Sequence, residues 1–411
     1  MSNQGAGPAA KLELPGQPIC SIKAGYFLAL MAMFAFGAYV NVYLHRVGLS
    51  GKEIGLVSAC GPLTALISQP FWGNMADYRL GRTRTLRLLL LMCAIICPFY
   101  LVSDKVIILM VVAAGIAFFS NSVVPMMDAI TMGLVGSSEG GFADIRLWGT
   151  VGGIAATLIA GFLFERLYVG YVFYMYAILM YICWFATRSL QDIPMEIECP
   201  VSPTNMDHNS GPRQGGLVRL LSNKNFALLT LSAFLLQLTN TCHQSFFGVY
   251  LIERGYSESV VGMAWLLALV SELAFWLLYR FLVGFSARAL YLMGTGCFAL
   301  RWLLNALIKA PQIVVLTQIL TGFSLSITYL AGVSLVDRFS PVDLRATGQT
   351  IFTGLTMGGG AVAGSLIGGA LYDAVGLKKI YLGTTLLALL AIPPLLRLHT
   401  KERHDFVQPA L

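Results

Sequence analysis

The sequence predicts an all-α polytopic membrane protein of twelve transmembrane helices in two pseudo-symmetric six-helix bundles, and three observations lead there. Hydrophobic residues make up 57% of the 411, the mean hydropathy is +0.73 and charged residues are only 11%. Apolar stretches of about 20 residues recur down the whole chain, each enough to cross a hydrocarbon core about 30 Å thick. Segments of the two halves also match at an offset near 200 residues: MDAITMGLV at 127–135 with TYLAGVSLV at 328–336, and DIR at 144–146 with DLR at 343–345. Similar offsets relate the first span to the seventh and the fifth to the eleventh. Lipid offers backbone groups no hydrogen-bond partners, so every span must be helical.

Taken in order, the first span covers 24–44; the segment before it carries Lys11 and Glu13 and has no signal-peptide pattern, so no cleavable leader is expected. The second, 54–72, runs into the polar loop GNMADYRLGRTR at 73–84, and the third covers 86–103. The fourth, 106–135, holds Asn121 and Asp128. The fifth, 147–165, repeats Gly149, Gly153, Thr157 and Gly161 every four residues, and the sixth covers 168–187. A polar stretch over 191–220 reads as a cytoplasmic linker between an N-terminal bundle, 1–190, and a C-terminal bundle, 221–411. The seventh span, 225–251, carries Asn240, His243 and Gln244; the eighth, 259–282, carries Glu272; the ninth, 288–308, carries Arg301. Spans at 311–337, 346–372 and 377–396 complete the set, the eleventh with Gly360, Gly364 and Gly368 in another four-residue row. Each row makes a face of close approach, either for static packing or for one half to slide on the other.

Basic residues orient the chain. With both termini cytoplasmic, inner segments hold 18 of the 27 Lys and Arg and outer loops hold eight, in accord with the positive-inside rule. The same bias accounts for the pI near 9.0, so no nucleic-acid partner is implied. The eight cysteines form no Cys-x-x-Cys pair, no Walker sequence is present, and neither a metal site nor a cofactor is expected. The five dispersed histidines make no catalytic constellation, which argues against an enzyme.

Ionisable residues inside apolar spans cost several kcal/mol unless they meet a partner or a wet cavity, so they mark function. Asp128 lies about 10 Å of helix from the inner end of its span and Arg146 opens the next on the same side, so a charge-assisted pair is expected. Glu272 and Arg301 sit on consecutive helices at depths differing by about 8 Å, within reach of flexible side chains. A carboxylate so placed can exchange its proton as the cavity changes its access to water. His243 can titrate or bind solute. Trp148 and Trp302, close behind Arg146 and Arg301, can stack on an aromatic ligand. Asn41, Gln69, Asn121, Asn305 and Gln318 complete the polar inventory.

The loop at 73–84, with Gly73, Asp77, Gly81 and Arg82 between the second and third spans, resembles the signature of the major facilitator superfamily. Within it the chain is similar to the lactose-permease-like branch and more closely to the phenylpropionate permease family, on YLHRVGLSGKEIGLVSA after span 1, ISQPFWG closing span 2, VVPMMDAI in span 4, DIRLWGTVG opening span 5, VSELAFW in span 8, RW in span 9 and LTQIL in span 10. The resemblance implies a monomeric proton-coupled symporter of a bacterial inner (plasma) membrane. The loop would act as its gating motif, and Asp128, Arg146, Glu272 and Arg301 match the substrate and coupling positions. It also suggests an aromatic carboxylate such as phenylpropionate as the small organic solute; a sugar or nucleoside, or a solute sensor that does not transport, are the alternatives. The chain departs from the branch in span 10, where Tyr329 replaces a histidine and no carboxylate precedes Asp337.

Overall fold

The computed structural model describes residues 19–135, 141–190, 216–282, 284–308, 310–341 and 344–398, and among them no strand occurs. The helices are α1 (Ile19–Arg46), α2 (Gly51–Leu80), α3 (Arg82–Leu101), α4 (Val106–Val135), α5 (Gly141–Arg166), α6 (Tyr171–Ser189), α7 (Lys224–Glu253), α8 (Glu258–Leu278), α9 (Ala287–Leu307), α10 (Gln312–Phe339), α11 (347–375) and α12 (377–396). Ten runs are long and apolar enough to cross a membrane. The last of these, Thr347–Leu396, is two helices, because Gly376 adopts φ 72° and breaks it; that left-handed conformation favours glycine. Helix α7 joins the set by length, its 30 residues spanning about 45 Å; Gln237, Asn240, His243 and Gln244 lower its apolarity. Most of the expected linker, 191–215, lies outside the described residues, and Gly216–Ser222 is helical.

Local signals set the helix ends. Ser50 and Glu53 form a reciprocal capping box at the start of α2, and the Asn223 and Ser286 side chains cap α7 and α9. Gly81, at φ 81°, ends the π-helical last turn of α2 and supplies the tight turn expected of the loop. In α4 the helix is interrupted at 121–122, four residues before Pro125, whose missing N–H cannot complete the preceding turn.

Two bundles result. In the first, α1 packs on α5 and α6, α2 on α4, and α3 on α4 and α6; in the second, α8 packs on α10, α9 on α10, and α7 on α11. They meet along α2 with α11, α5 with α8, and α1 with α7. The closest meetings use glycine. A Cβ on Gly55 would lie 2.5 Å from the Ser365 carbonyl oxygen, one on Gly369 2.5 Å from that of Gly51, and one on Gly262 would collide with Thr157. These contacts lie in the half of the molecule where α1 turns into α2, called here the α1–α2 end.

The glycine rows behave differently from their appearance in sequence. Gly149, Gly152 and Gly153 face Leu30, Phe27 and Phe34 of α1, inside one bundle, while Gly360, Gly364 and Gly368 face Gln237, Thr241 and Cys242 of α7, inside the other. Of the two rows, only Thr157 and Gly161, at one end of the first, meet the opposite bundle, both at Gly262. The idea that the rows form a sliding surface is therefore corrected. A four-residue period defines a helix face, but not which neighbour covers it.

Candidate functional site

Two polar assemblies lie between and within the bundles. The first is a cavity of about 370 Å³ whose lining comes from α1 (Asn41), α2 (Ser58), α4 (Ser120, Asn121), α7 (Gln244) and α11 (Ser365), with Phe36 and Tyr100 as aromatic walls. Asn41 organises it. Its amide donates to the Ser245 carbonyl at 2.9 Å, bridging α1 to α7, and its oxygen accepts from the Ser58 hydroxyl at 3.1 Å. The Asn121 amide donates to the Gly61 carbonyl at 3.2 Å, fixing the broken turn of α4 against α2. No charged side chain lines the cavity among the described residues. Asn121 was anticipated as a site residue, and Asn41 stood in the polar inventory. Ser58, Ser120 and Ser365 were missed, and only the recurrence of Gln237, Thr241 and Gln244 on one face of α7 could have flagged that wall.

The second assembly is charged and lies toward the opposite, α2–α3 end. The Tyr26 hydroxyl donates to Asp128 at 2.6 Å, the Thr131 hydroxyl donates to Tyr26 at 3.3 Å, and the Arg146 guanidinium lies 3.5 Å from Asp128 and 5.6 Å from the centre of the Tyr26 ring. The expected pair is thus made, with both side chains more than a third exposed (36% and 38%). It is a wet pair, reachable by water and protons. On α8, the helix packed against α5, Glu272 is exposed. Trp148 is exposed on α5, and Tyr329, the repeat counterpart of Asp128, is exposed on α10.

The structure does not join Glu272 to Arg301. Arg301 is fully buried inside the second bundle, its guanidinium 4.2 Å from the centre of the Trp302 ring. His243 is buried beside it, with Nδ1 2.8 Å from the Tyr381 hydroxyl. Trp302 stacks on Tyr381 and donates to Thr239, so neither His243 nor Trp302 faces the cavity. The predicted bridge fails because consecutive helices can present residues of similar depth to opposite sides.

At the membrane edge the Arg82 guanidinium lies 3.4 Å from Asp77, beside Gly73 and against α4. Three pairs at this end lie within a bundle: Asp77–Arg82, Asp128–Arg146 and, at 3.3 Å, Asp337–Arg345. Those at the α1–α2 end cross between bundles: Arg46 with Glu258, His45 with Glu253 at 3.6 Å, and Asp373, which accepts from the Gly51 and Lys52 amides at 2.7 and 2.9 Å. Asp373 thereby caps the α2 N-terminus from the other bundle.

Known proteins resemble this chain in sequence and fold. The chain is 26% identical over 92% of its length to 94% of the maltose permease of Geobacillus stearothermophilus. It is 23% identical over 90% of its length to 94% of a probable 3-phenylpropionic acid transporter of Escherichia coli. The expected phenylpropionate resemblance is present, and the maltose permease is the more similar of the two. The nucleoside transporter NupG superposes with a TM-score of 0.80 over 92% of this chain and 98% of that one, at 18% identity, a likeness of fold. The model of the MFS_1 like family matches residues 19–383, and the chain belongs to that family of the major facilitator superfamily.

Proposed function

We propose that the protein is a proton-coupled secondary transporter of a neutral, hydroxyl-bearing organic solute of the sugar or nucleoside kind. The observation that carries this reading is the neutral amide and hydroxyl lining of the central cavity. Such groups donate and accept in equal measure and match a polyol, while Phe36 and Tyr100 suit the face of a sugar ring or base. A carboxylate solute would demand a cation at the site, and the one deeply placed arginine of the second bundle is shut inside it. The aromatic acid favoured by the sequence is therefore the second reading, supported by the 3-phenylpropionic acid relative.

The basic residues Arg79, Arg82, Arg84 and Arg87 cluster at the α2–α3 end, which supports a cytoplasmic side there, with both termini, in a bacterial inner membrane; the contacts between bundles at the α1–α2 end then fit an inward-facing state. One chain holds both bundles and a whole cavity, so a monomer suffices. Proton coupling falls to Glu272 and the Asp128–Arg146 pair. Protonation of Glu272 decides whether Arg146 is shared between two carboxylates or held by one. Uptake of labelled maltose, uridine and phenylpropionate into proteoliposomes under an imposed proton gradient tests the reading. Accumulation of maltose or uridine, abolished by an uncoupler, is expected. Accumulation of phenylpropionate alone would replace the substrate class, and binding without accumulation would make the protein a sensor.

A further inference from the structure

The Arg301 guanidinium sits in a pocket of donors without a counter-charge. Its Nε and both terminal nitrogens make no hydrogen bond to any other described residue, and the side chain is completely buried. The Asn305 Nδ2, one helical turn further along α9, is likewise buried and unbonded, because the Asn305 oxygen is committed to the Thr317 hydroxyl at 2.7 Å. The Gln318 Nε2 on α10 is also buried and unbonded, its oxygen taken by the Thr321 hydroxyl at 3.0 Å. The Thr317–Asn305 bond holds the start of α10, with Gln318, against α9 one turn from Arg301, and His243 packs on Trp302 and bonds Tyr381 beside them.

Every described carboxylate of the second bundle is engaged elsewhere. Glu253 meets His45, Glu258 meets Arg46, Asp337 meets Arg345, Asp373 caps α2, and Glu272 is exposed on α8, away from the buried Arg301. The Trp302 face attracts the cation but cannot neutralise it. A guanidinium in hydrocarbon surroundings without a counter-ion is among the costliest arrangements a protein can hold. The free valences around it, three guanidinium nitrogens and two amide nitrogens, are donors. Asn240, on α7, has a buried oxygen that is likewise unbonded.

We infer that the interior of the second bundle holds a small monovalent anion of halide size, bound by Arg301, Asn305 and Gln318. It lies apart from the cavity between the bundles.

Thermal unfolding of the purified protein tests this, with chloride and bromide compared against gluconate at equal ionic strength and pH. A saturable rise of several degrees in the unfolding midpoint with either halide is expected for the wild type. Arg301→Gln should lose the response. Asn305→Asp keeps the guanidinium and places a carboxylate one turn away, so it should be as stable in gluconate as the wild type is in chloride, and indifferent to halide. This second variant decides the matter even if Arg301→Gln fails to fold. An equal midpoint for the wild type in all three salts would overturn the site and leave the guanidinium hydrated by trapped water. A halide response undiminished in Asn305→Asp would place the anion elsewhere and overturn it equally.

Discussion

The α1–α2 end and the α2–α3 end are built from the same twelve helices and differ in what crosses the gap between bundles. At the first, glycines 55, 262 and 369 let backbones touch, and Arg46–Glu258, His45–Glu253 and Asp373 on the α2 N-terminus span the two halves. At the second, Asp77–Arg82, Asp128–Arg146 and Asp337–Arg345 each stay within one bundle, and Glu272 is exposed on α8. The closed end is thus held by many small contacts that can all be undone together, each modest in itself. The open end stores charged groups that would find new partners on closing. A pair of states separated by a few kcal/mol is what alternating access requires.

The largest effect should come from filling the glycine contacts. Gly262→Leu or Gly55→Leu would drive a side chain into opposing backbone, prevent the α1–α2 end from closing and reduce uptake by about tenfold or more. Normal uptake in both variants would mean that this end never has to close so tightly. Gly153→Leu sharpens the contrast. Its clash with Phe34 lies inside one bundle, so it should lower thermal stability by about 1–3 kcal/mol rather than arrest a folded protein.

Next comes Glu272→Gln, expected to abolish gradient-driven accumulation while leaving counterflow exchange within a few-fold of wild type, since exchange needs no net proton movement. If the variant still concentrates solute, coupling belongs to Asp128. A smaller change follows from Arg46→Ala, which strands the buried Glu258 carboxylate and loosens the closed end. External labelling of a cysteine at Ser245 should rise several-fold in that background; unchanged labelling would reduce the ion pair to decoration. The smallest expected effect on binding is that of Asp77→Asn, which should slow turnover but keep affinity within about tenfold, because the Asp77–Arg82 pair is far from the cavity.

Much of this was legible in the sequence, for identifiable reasons. The helices were, because apolarity and length declare them; even α7, too polar for a simple criterion, is placed by the repeat. The Asp128–Arg146 pair was, because two helix ends joined by a short loop fix relative depth. The partner of Glu272 was not, since rotation about a helix axis decides it and hydropathy is blind to rotation in an all-apolar span. The cavity lining was not, because Asn41, Ser58, Asn121 and Gln244 lie on four helices whose adjacency comes from packing alone. The glycine rows misled for the same reason: Gly55, Gly262 and Gly369, which carry the contact between bundles, stand in no row.

The central claim is that the two ends open and close reciprocally around one cavity. Distances between spin labels test it most directly, with one pair at Lys52 and Ala374 reporting the α1–α2 end and another at Tyr78 and Thr347 reporting the α2–α3 end, all at exposed positions. On addition of transported solute and a change of pH, the first distance should lengthen as the second shortens, with both populations shifting by the same fraction. Distances that stay fixed at both ends, or that lengthen together, would contradict the account.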